Sequence, residues 1–122
     1  MQLEILPCAM SVCKLEALAD FHPGDAPYFV GRTDEELSLL CASDAVPEKT
    51  LAREDGWRGF RVRGQLDFSL VGILAGLSAT LAENHIPIFA VSTYNTDYLF
   101  VREDSFERAV QALKAAGHEL AG

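Results

Sequence analysis

From Trp57 to Leu120 the hydrophobic pattern changes period again and again, and that succession restricts the fold more than any other feature of the chain. Gly56-Trp57-Arg58-Gly59-Phe60-Arg61-Val62-Arg63 largely alternates apolar and charged residues, the period of a half-buried strand. Leu70, Ile73, Leu74, Leu77 and Leu81 then fall at helical spacing, which predicts a helix over residues 70–84 with Gly72, Gly76 and Ala79 as a small-residue face. Residues 86–91 are apolar throughout, as expected of a strand covered on both faces or bordering an interface. Pro87 is tolerable there only because it stands near the start. The turn Tyr94-Asn95-Thr96 leads to a second strand over residues 97–102. Asp104 and Glu107 form an acidic variant of the capping box ahead of Phe106, Ala109, Val110 and Leu113, and Gly117 ends that helix. His118-Glu119-Leu120 reads as a short last strand. Strand, helix, strand, strand, helix, strand is the split βαβ order of a ferredoxin-like unit, an antiparallel sheet with two helices on one face.

The first half is rich in strand signals and poor in long helices. Residues 3–8 and 10–15 are apolar runs, either one bent strand or two short ones. Residues 20–27 carry two prolines and a glycine and read as a loop. Residues 28–33 and 37–41 flank the acidic turn Asp34-Glu35-Glu36, which predicts a hairpin. Residues 44–55 hold at most a short helix. Element order alone suggests that residues 1–56 are a degenerate copy of the unit at residues 57–122. The expected class is therefore α+β, with two ferredoxin-like units. About 60 residues bury only roughly 60% of their unfolded surface, so such units are expected to pack on each other or on a second chain.

Composition narrows the function. Ten Lys and Arg stand against 18 Asp and Glu, a net charge of −8. The basic residues are scattered, so the stripe that nucleic-acid binding requires is missing. The nearest cluster, Arg58, Arg61 and Arg63, reads as solvated charge on an edge strand. No apolar run is long enough to span a membrane, and Met1-Gln2-Leu3-Glu4 does not resemble a signal peptide. Cys8, Cys13 and Cys41 are odd in number and lack metal-type spacing, which points to reduced, buried thiols in a cytoplasmic protein. His22, His85 and His118 have no triad or metal partner at recognisable spacing, so neither metal nor cofactor is expected.

At Asp67-Phe68-Ser69-Leu70-Val71-Gly72-Ile73-Leu74 and over residues 86–101 the chain resembles the ACT domains. The string from Ser92 to Tyr98 is similar to small bacterial proteins with tandem ACT-like units. These are related to aspartokinase regulatory regions and to cytosolic arginine sensors of the CASTOR type. The resemblance implies a stand-alone regulatory protein that binds a free amino acid between paired units, as a homodimer. It places the ligand at Leu66, Asp67, Phe68, Ser69, Val71 and Gly72, against Val91, Ser92 and Thr93. The residues fit such chemistry. Free N–H groups from Ser69 to Gly72 can meet a carboxylate, and Asp67 can pair with an ammonium. Asp67 and Ser69 are equally ordinary N-cap residues. Ser92 and Thr93 end a buried strand and are expected to face a pocket, while Asn95 and Asp97 are expected to shape the turn. Two alternatives stay open: a ligand-free assembly module, and a small ferredoxin-like enzyme.

Overall fold

The computed structural model describes residues 1–63 and 72–122. Two compact units emerge, one of residues 1–7 with 58–122, the other of residues 8–57. The first seven residues thus stand with the second half of the chain.

In the larger unit, strand β1 (Gln2–Ile5) pairs antiparallel with β5 (Ala52–Val62), setting Leu3 opposite Val62 and Ile5 opposite Phe60. Helix α1 (Ile73–Glu83) precedes β6 (Ile88–Ser92) and β7 (Asp97–Arg102), which form an antiparallel hairpin. Helix α2 (Phe106–Ala115) follows, then β8 (Glu119–Ala121). The strand order is β8-β1-β5-β7-β6. This is the ferredoxin-like arrangement with one addition: β1 enters between β5 and β8 and runs parallel to β8. Residues 86–91 read as a strand covered on both faces or bordering an interface; among the described residues β6 pairs with β7 alone, as an edge strand does.

The helix faces follow the sequence periodicity. Leu77 and Leu81 of α1, and Ala109, Val110 and Leu113 of α2, join Leu3, Phe60, Val62, Leu99 and Val101 of the strands in one core. Each large apolar side chain so buried contributes about 1.5–3 kcal/mol. Both helices end alike. His118 N–H donates to Leu113 O and Gly117 N–H to Lys114 O, while Ile86 N–H donates to Leu81 O and His85 N–H to Ala82 O. This is the Schellman pattern, which satisfies carbonyls that a helix end leaves over. The expected capping box of Asp104 and Glu107 is not made. A 3-10 turn (Glu103–Ser105) leads into α2, Ser105 is the cap residue, and no side chain caps it.

The smaller unit pairs β3 (Phe29–Arg32) with β4 (Leu37–Ala42), β4 with β2 (Met10–Leu15), and β2 with the first half of β5. The expected hairpin of residues 28–41 is present. This unit has no α-helix, only a 3-10 turn (Ser43–Ala45). Phe21, Ala45 and Val46 cover the buried residues Cys13, Leu15, Leu37, Leu39 and Cys41. Burial pushes the Cys41 thiol up to about 11 and raises Cys13 as well. Both stay protonated near neutral pH, as structural cysteines do.

Candidate functional site

The turn from β6 to β7 is held by hydroxyls. Ser92 faces Asp97 across the ladder, and its Oγ donates to Asp97 Oδ1 at 2.6 Å. Thr93 donates to Thr96 O through both its N–H and its Oγ1, each at 2.9 Å. Thr96 is buried, and its Oγ1 donates to Val62 O at 2.8 Å, pinning the turn onto β5. Ser92 and Thr93 therefore share the turn-making that was assigned to Asn95 and Asp97.

Beside this turn lies a concavity of about 230 Å³, lined by Glu4, Arg61, Val62, Arg63, Asn95, Thr96 and Tyr98. Strand alternation builds it. Leu3, Phe60 and Val62 turn into the core, so Glu4 and Arg61, directly opposite each other in the ladder, project from the other face. Arg61 Nε donates to Glu4 Oε1 at 2.8 Å, and Nη2 donates to that same oxygen. Arg61 Nη1 donates to the Tyr98 hydroxyl at 3.2 Å. These bonds hold Arg61 in its charged form, with Glu4 the main cause. They leave Glu4 Oε2 without a hydrogen bond among the described residues. Arg63 is exposed and makes no ion pair among the described residues. The third arginine of the cluster is engaged elsewhere: Arg58 lies 4.2 Å over the Phe106 ring and 3.4 Å from Glu103. An open guanidinium, a half-used carboxylate and the Asn95 amide thus surround a space below the roughly 300–1,000 Å³ of drug-sized sites.

Of the residues expected to bind ligand, Leu66, Asp67, Phe68, Ser69 and Val71 lie outside the described residues. Gly72 is the cap residue of α1, with φ of 81°, no side-chain capping bond and a carbonyl that accepts from Gly76 N–H at 2.8 Å. Its conformation is one that L side chains rarely adopt. On the small-residue face, a Cβ at Gly76 would meet nothing within 4 Å among the described residues. Val91 is half-buried and Ser92 exposed on β6, with Thr93 just beyond its end. Sequence reasoning did not single out Glu4, Tyr98 or Thr96 for this place. The alternation of residues 57–63 put Arg61 and Arg63 on one face, but the pairing of Arg61 with Glu4 needs a register across 57 positions.

The family model of the ACT domain matches residues 52–115, more than half of the chain. The chain belongs to the ACT domain family. A crystal structure of an Agobacterium tumefaciens protein is 33% identical to this ACT protein, covering 98% of it and 91% of its own length, with a TM-score of 0.89. A Vibrio cholerae protein of unknown function, described as a possible transport protein, is 20% identical with a TM-score of 0.73, covering 98% and 88% of the two chains. The ligand-free regulatory subunit of aspartate kinase from Thermus thermophilus is 10% identical with a TM-score of 0.68, covering 94% and 96%. At those identities the last two show a shared fold. The ACT protein thus carries the fold of an aspartate kinase regulatory subunit, and among its described residues no helix is long and apolar enough to cross a membrane.

Proposed function

We propose that this ACT protein is a regulatory module rather than an enzyme, and that it binds a free amino acid. The observation that carries this reading is the paired receptor beside the β6–β7 turn. A zwitterion presents a carboxylate and an ammonium on one carbon. Arg63 suits the first, Glu4 Oε2 the second, and Asn95 has both a donor and an acceptor to offer. The segment from Leu66 to Gly72 follows Arg63 in the chain and is proposed to complete the site, together with Val91, Ser92 and Thr93. About ten heavy atoms at ~0.5 kcal/mol each give a sub-millimolar affinity, suited to sensing a metabolite.

Two further points support the wider reading. The uncharged, apolar β6 has one strand neighbour among the described residues, and such an edge suits pairing with a second copy as a homodimer. Three free thiols, two of them buried, suit the reducing cytoplasm. The test is a thermal-shift screen of the folded protein against the twenty amino acids. A ligand at 100 times its dissociation constant should add about 2.7 kcal/mol of stability. A flat response to all twenty would refute the sensor reading, and measured turnover of an acyl phosphate would favour an enzyme.

A further inference from the structure

The smaller unit contains a second hollow, unrelated to the turn described above. The chain that links β2 to β3 covers its sheet without a helix and leaves a cavity of about 240 Å³, the liquid volume of about eight waters. Phe21, Pro23, Gly24, Asp25, Ala26 and Tyr28 form one wall; the other comes from Cys8, residues 41 and 42, and the 3-10 turn with Asp44 and Ala45. Phe21 and Tyr28 meet edge to face, with ring centroids 5.0 Å apart. The floor is apolar in effect, because the Cys41 thiol, pushed up to about 11, stays neutral.

The charge in this lining has one sign. Asp25 and Asp44 are exposed, and among the described residues no Lys, Arg or His lines the space. The guanidinium closest in influence, Arg53, is held by Asp55 at 2.8 Å. An apolar cavity with a few polar groups of one sign selects a molecule with an apolar body and the opposite charge. An amino acid is the wrong shape of charge here, since no basic side chain receives its carboxylate. We propose that this cavity binds a small organic cation, an ammonium group on a short apolar or aromatic body. The ammonium meets Asp25 and Asp44 at the rim through charge-assisted hydrogen bonds, and the body lies against Phe21, Ala45 and the sheet.

The probe is phenethylamine, titrated calorimetrically into the full chain. Saturable binding is expected, at least about tenfold tighter than that of the neutral 2-phenylethanol. An Asp25→Asn, Asp44→Asn double variant is expected to lose that preference, while Arg63→Ala keeps it, which separates this cavity from the amino-acid site. Cys8 lines the cavity half-buried, so bound amine should slow its alkylation by iodoacetamide, read by mass spectrometry. The proposal is overturned if no binding is seen, if amine and alcohol bind alike, if the double variant binds amine as before, or if Cys8 is not protected.

Discussion

The two units of this chain are built on sheets but covered by different means. In the larger unit two helices present Leu77, Leu81, Ala109, Val110 and Leu113 at helical spacing, and these interdigitate with the strands. In the smaller unit, among the described residues, a loop supplies Phe21 and the 3-10 turn with the residue after it supplies Ala45 and Val46. A helix delivers a side chain to the core about every 3.6 residues; a loop with two prolines and a glycine cannot. The loop cover leaves a 240 Å³ hollow against its sheet. In the smaller unit, space for a ligand opens where regular cover is lost.

The largest expected effect is a matched pair of core truncations. Leu99 and Leu39 are both fully buried, one under helices and one under a loop. Leu99→Ala should cost about 3–5 kcal/mol and Leu39→Ala about 2–3 kcal/mol in urea unfolding, since a loop collapses into a void more readily than a helix. Equal costs would break the comparison. Next is a close approach of core side chains to a glycine. A Cβ on Gly59 would lie 2.7 Å from Phe100 Cε1 and 2.8 Å from Leu6 Cδ1, while one on Gly31 in the smaller unit would lie 4.0 Å from Ser38 Cβ. Gly59→Ala should lose about 1–3 kcal/mol, and Gly31→Ala should stay within about 0.5 kcal/mol of wild type.

The smallest effect is a matter of pH. Buried Ser11 donates to Asp55, which also accepts from Arg53 Nε at 2.8 Å; Ser43 therefore donates to Ser11 across 2.7 Å. The Ser11 bond first, then Arg53, holds the Asp55 carboxyl below its usual range. A depressed carboxylate stabilises the fold at pH above its unfolded value of about 3.9, and that contribution fades as pH falls through the folded value. Ser11→Ala should raise the Asp55 titration midpoint, followed by carboxyl NMR shifts, and bring acid unfolding to higher pH. An unmoved Asp55 titration would show that the buried hydroxyl does not stabilise the charge.

Local elements were largely legible in the sequence, and distant pairings were not. β7 spans the residues its pattern predicted, and β6 begins one residue after Pro87, where a missing N–H does no harm. Gly117 stops α2 as expected. The insertion of β1 between β5 and β8 was hidden, because nothing in residues 2–5 states which strand they pair with. The apolar run at residues 86–91 fits an edge as well as a centre: Phe89 stacks on Phe100 at 5.0 Å, so hydrophobicity alone could not decide its place. At the site, Arg61 and Arg63 were visible as a cluster, but the sequence could not show that Glu4 occupies Arg61, while Arg63 makes no ion pair among the described residues. The hydroxyls of Ser92 and Thr93 looked like pocket groups because a turn and a pocket call for the same residue types.

Calorimetric titration of the best amino acid from the screen, into wild type and Arg63→Ala, tests the central claim most directly. The account predicts sub-millimolar binding to wild type. It also predicts a loss of roughly ten- to a hundredfold in the variant, as removal of a charge-assisted bond worth about 1.5–3 kcal/mol requires. Binding that is unchanged in Arg63→Ala, or no binding of any amino acid to folded wild type, would contradict it.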